Sequence, residues 1–133
     1  MLSSRAPAEV VWCRYSTNTF LLVTMHRFFY TDRIALLLQE TAGAIQDDIA
    51  RRGPGLVSSK VFTWVLRGIL TDFTFRAWNE HNDAPMSWSM INDALVGLYD
   101  FMNQNQFGSC LFVIYDGASL VGRGSIEFKW NKH

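Results

Sequence analysis

The chain has 133 residues, twelve Lys+Arg against twelve Asp+Glu, and 49% hydrophobic and 14% aromatic residues with only 18% charged. That composition excludes a disordered chain, and the balanced charge leaves no global field to attract a phosphate backbone, so no nucleic-acid partner is expected. A 15.2 kDa protein should bury about two-thirds of its unfolded surface, enough for one domain without metal or disulfide staples.

Met1 to Glu9 (MLSSRAPAE) is small and polar. It lacks the apolar core of a signal peptide, and is expected to be a flexible lead-in to a single domain over 10–133. It suits equally a mature N-terminus exposed by cleavage. No apolar run approaches the roughly 20 residues of a membrane span, and no membrane is expected as a partner. No Asn-x-Ser/Thr sequon occurs.

Val10 to Tyr15 and Thr19 to His26 are strand-like runs separated by the turn-forming Ser16-Thr17-Asn18. Thr31 can cap a helix with Asp32 in its first turn, after which Ile34, Leu37, Leu38, Ala44, Ile45 and Ile49 recur at steps of three and four. Gly53-Pro54 ends it, with Arg51 and Arg52 in the last turn. Val61 to Leu66 and Asp72 to Trp78 form a second pair of strands around Gly68. A second helix starts near Ser87, carries the stripe Trp88, Ile91, Leu95, Leu98 and Met102, and stops by Gly108. Cys110 to Tyr115 and Leu120 to Trp130 flank Asp116-Gly117, a strong hairpin signal.

The order ββα-ββα-ββ predicts an α+β two-layer sandwich: an antiparallel sheet of about five to six strands, with helices at 31–52 and 87–106 on one face. Residues 10–57 and 61–107 read as two copies of one ββα unit, and the last hairpin as a half-copy. Leu38, Ile45, Phe73, Phe75, Ile91, Leu95, Leu98 and Ile114 are the predicted core. In the last strand, Val121, Arg123, Ser125, Glu127 and Lys129 alternate with an apolar set that includes Gly122 and Gly124. Two glycines there suggest a bulge or a helix lying close over the strand.

Several short motifs resemble those of small secreted proteins of unknown function in filamentous ascomycete fungi. The matching residues are Thr17, Thr19 and Phe20; the helix end Ile45 to Gly53; Met86, Ser87, Trp88 and Ile91; and Phe112, Ile114, Asp116, Gly117, Val121, Gly122 and Gly124. The resemblance implies a fungal, extracellular setting and brings no catalytic residue with it. Met1 to Glu9 is not expected to be the signal peptide that this pattern would carry.

Chemistry is thinly signalled. Histidines occur at positions 26, 81 and 133, none at metal-ligand spacing, so neither a metal nor a cofactor is expected. If His26 and His81 follow equivalent strands of a repeat, they can converge with Glu80 at one sheet edge as a weak ribonuclease-like acid–base candidate. No third group is identifiable to orient them. Cys13 and Cys110 allow at most one disulfide, and bridged and free thiols are both open to them. Alternation puts Trp78 opposite Phe73 and Phe75 and beside Thr74 and Arg76. With Arg123, Glu127 and Lys129 these form the expected binding face, because helices on one side leave the other face uncovered. The leading expectation is a secreted, non-enzymatic interaction protein, effector-like or toxin-like, binding a protein or glycan partner. A homo-oligomer, such as a homodimer, and a small hydrolase are the alternatives.

Overall fold

The computed structural model describes residues 10–13, 18–29, 32–53, 61–81 and 85–131. The elements run β1 (Val10–Cys13), β2 (Thr19–Phe28), α1 (Arg33–Arg52), β3 (Val61–Leu66), β4 (Thr71–Asn79), α2 (Trp88–Gln104), β5 (Gly108–Asp116) and β6 (Ser119–Trp130). The expected α+β sandwich is the observed one. The lead-in 1–9, the Thr31 cap, Pro54 and His133 lie outside the described residues.

The six strands form one sheet in the order β1-β2-β5-β6-β4-β3, each neighbour antiparallel. The last hairpin is therefore the centre of the sheet, inserted between the two earlier ones. Inward from either edge the chain presents the first strand of a hairpin, its second strand, and one strand of the central hairpin. Since all neighbours are antiparallel, the two halves are related by an approximate two-fold axis normal to the sheet between β5 and β6. The helices exchange halves. The first helix, α1, packs on β3 and β4, α2 on β1 and β2, and the two lie side by side.

Local chemistry explains the element ends. At α2 the Ser87 side chain accepts the Met90 amide at 3.1 Å, an N-cap bond. Asn105 closes the other end by donating Nδ2 to the Phe101 carbonyl at 2.8 Å. Gly108, expected as the helix stop, instead opens β5. At the central hairpin Gly117 sits at φ 62° in a two-residue turn, a conformation glycine adopts without penalty.

The core lies between sheet and helices, and all eight predicted core residues are buried. Thr41 sits within the buried stripe of α1 because its hydroxyl donates to the Leu37 carbonyl at 2.7 Å. The two glycines of β6 are explained twice over. A register shift interrupts the β5–β6 ladder at Ile114/Tyr115. Beyond it Val121, expected among the polar positions, packs against the core. The groups lying over the glycines are side chains rather than a helix: Met86 over Gly122 and the Phe112 ring over Gly124.

Candidate functional site

With both helices on one side, no described element covers the other face of the sheet. Strand register brings the expected binding residues together there: Asp72 stands opposite Lys129, Thr74 opposite Glu127, Arg76 opposite Ser125, and Trp78 opposite Arg123. Arg76 Nη1 lies 3.0 Å from Glu127 Oε2, which also accepts the Ser125 hydroxyl at 2.7 Å. Arg123 Nε donates to Glu80 Oε1 at 2.6 Å. Arg76 and Arg123, on the described part of this face, thus each carry a carboxylate partner. Trp78 is half-buried beside Val61, its exposed neighbour on the edge strand β3.

The other half of the same face is apolar, and sequence reasoning missed it. The ring of Phe20 stacks on Tyr115 with centroids 4.9 Å apart and planes 3° from parallel. Leu22 stands opposite Val113, and Thr24 opposite Leu111, which is 49% exposed. The signal was present in the unbroken apolar run of β5, LFVIY. A central strand that is apolar at consecutive positions is apolar on both faces, whereas β4 and β6 alternate.

The catalytic candidates do not converge. The two-fold relation makes β2 and β4 run in opposite directions, so His26, near the end of β2, and His81, just past the end of β4, lie toward opposite ends of the sheet. His26 follows Met25, whose row across the sheet reaches Phe75, while His81 lies beyond Asn79. At least five residues of strand and three inter-strand spacings separate their backbones, roughly 20 Å. Both histidines are exposed. Glu80 is engaged by Arg123 on the open face and is not oriented toward a shared acid–base centre.

The ladder also keeps apart Cys13 and Cys110, for which the sequence left pairing open. Cys13 pairs with Phe20 in the ladder and Cys110 with Met25. Five residues of β2 put about 16 Å between them along the strands, far beyond the roughly 7 Å a bridge tolerates. Their register positions also fall on opposite faces. Cys110 is a free, buried thiol, pushed up to about 12 by desolvation, so it stays protonated and is no nucleophile. Among the described residues no three His, Cys, Asp or Glu side chains gather as a metal ion requires. No described helix is long and apolar enough to cross a membrane.

The fold and this face together define an α+β sandwich with one open, chemically divided sheet surface. Comparison with protein-family models, with curated proteins and with solved structures finds no match to the chain.

Proposed function

We propose that the protein is a non-enzymatic interaction module that binds a protein partner through the open face of its sheet. The observation that carries this is the division of the face. An apolar half on β2 and β5 (Leu22, Leu111, Val113) adjoins a polar half on β4 and β6, where arginine–carboxylate pairs surround Trp78. Apolar centres with hydrogen-bonding margins are the ordinary anatomy of protein interfaces. A glycan partner is less well served, because Phe20 and Tyr115, the stacked pair on the described part of this face, each turn one ring face to the other. A nucleic-acid backbone would meet arginines already neutralised by Glu80 and Glu127. The motif resemblance supplies the proposed setting: extracellular, in a filamentous fungus, with an effector-like or toxin-like role.

A photo-crosslinking residue placed at Leu111, and separately at the exposed Ala50 on the outer side of α1, tests the surface. Adducts formed with an extract of a host or competitor at position 111 but not at position 50 support the reading. Adducts with the purified protein alone would make the partner a second copy of the chain. Equal labelling at both positions, or none at either, overturns it.

A further inference from the structure

The three most exposed large hydrophobic side chains of the described residues are Ile69 at 82%, Leu70 at 67% and Trp130 at 58%. They are far apart in sequence but adjacent in space. Ile69 and Leu70 form the connection between β3 and β4, and Trp130 ends β6 opposite Thr71. With Phe29, Arg33 and Phe73 they line one open depression of about 400 Å³ at this end of the sheet. This tip lies at the end of β4 and β6 away from Trp78, and shares Asp72 and Lys129 with the margin of the open face.

Two features say what covers it. The first is charge. Arg67, whose side chain is 80% exposed, flanks the tip on one side and the exposed Lys129 on the other. Arg27, also exposed, lies over the rings of Phe29 and Phe128, 5.5 and 5.0 Å from their centroids. Arg33 adds a fourth cation, against two described acids at this end: Asp32, exposed at the start of α1, and Asp72, which accepts from the Gly68 amide and the Asn131 amide group and pairs with Arg67. The second feature is the backbone. Four consecutive carbonyls at the tip accept hydrogen bonds from the protein itself: Arg67 from Arg33 Nη2 at 2.7 Å, Gly68 from Asn131 Nδ2 at 2.6 Å, Ile69 from the same group at 3.4 Å, and Leu70 from the Asn131 amide at 2.8 Å. A loop entering an apolar medium must satisfy its own backbone, and these four carbonyls are satisfied before the turn meets anything.

We propose that the Ile69–Leu70–Trp130 tip docks shallowly on an anionic lipid surface. Ile69 and Leu70 enter the headgroup–acyl boundary, Trp130 lies at the interface, and Arg27, Arg67 and Lys129 face the lipid phosphates and carboxylates. Interfacial tryptophan and flanking cations are the pattern of such contacts. Two exposed side chains on the β3–β4 turn and one at the end of β6 are too few for a protein interface of 20–30 residues a side, but enough for partial insertion assisted by charge.

The test is co-sedimentation of the whole protein with vesicles of phosphatidylcholine alone and of phosphatidylcholine mixed with phosphatidylserine. Wild type should bind the mixed vesicles, release at high salt, and leave the neutral vesicles largely unbound. The double variant Ile69→Ser, Leu70→Ser changes only exposed side chains, so it should fold normally and bind at least tenfold more weakly. Arg67→Glu should weaken binding by about fivefold or more, since each basic group near an anionic surface contributes roughly that factor. Failure of wild type to bind mixed vesicles, or unchanged binding by the double variant, overturns the proposal. So does a double variant whose only effect is on molar mass at sedimentation equilibrium, because the tip would then contact a second copy.

Discussion

The ring of Phe112 lies over the bare Cα of Gly124, directly across the central β5–β6 ladder, in the space a Cβ would take. A Cβ there would also meet the Arg76 backbone carbonyl at 2.5 Å. A ring can tilt, but a carbonyl in a neighbouring strand cannot move without disturbing its ladder. Gly124→Ala should therefore cost about 1–3 kcal/mol by overpacking, read from urea midpoints at constant m. A loss below about 0.5 kcal/mol would mean that the sheet yields at its centre.

Leu95 is buried at 1% exposure in the middle of the α2 stripe. Leu95→Ala should cost about 2–5 kcal/mol, and the result depends on how far α1 and the sheet collapse into the space. Leu36, on the outer side of α1 and exposed, is the control, expected to stay within about 0.5 kcal/mol of wild type. Equal losses at both positions would contradict the placement of the helices.

Asp72 titrates below its ordinary value of 3.8, chiefly because the Gly68 amide donates to it, then because Asn131 does, with Arg67 and Lys129 adding favourable charge. A carboxyl with a depressed folded value stabilises the fold above its unfolded value and loses that contribution as pH falls through the folded one. The β3–β4 turn should therefore loosen below about pH 3.8. Exchange of the Gly68 amide, followed by NMR, should accelerate on acidification in wild type and be nearly pH-independent, beyond intrinsic exchange, in Asp72→Asn. The same acid profile in both proteins would assign the effect to another group.

Because Cys110 is buried and its thiol is held up to about 12, iodoacetamide at mildly alkaline pH should leave it unmodified in the native protein and alkylate it after urea unfolding. A Cys13→Ser background makes the readout specific. Reducing agent should not shift the melting temperature, since the ladder holds the two cysteines apart. A reductant-dependent shift would contradict that register.

Trp78 is half-buried on the open face, so Trp78→Ala should lower stability by about 1 kcal/mol or less while abolishing the adduct formed from position 111. If the substitution unfolds the protein, Trp78 belongs to the core and the interface must be confined to β2 and β5.

The sequence by itself determined most of the elements and, within β4 and in β6 from Gly122 onward, the side of each residue; the bulge at Val121 broke the alternation before that. Phe73, Phe75 and Ala77 against Thr74, Arg76 and Trp78 is a period-two pattern, and the stripe from Ile91 to Met102 is a period of three and four; both are local geometry. Strand order is not local. Only the tertiary structure placed the last hairpin between the other two, and that insertion turned an apparent tandem repeat into a two-fold one, sending His26 and His81 toward opposite ends of the sheet. Nor could alternation assign β5, because a run apolar on both sides has no parity to read. Its second face became the apolar half of the open surface only once β2 was paired beside it. The tip is the clearest case: Ile69 and Trp130 stand 61 positions apart in the chain. The β4–β6 ladder that puts Trp130 opposite Thr71, secured by hydrogen bonds from Asn131 to the β3–β4 turn, sets them side by side, not any pattern in the residues between.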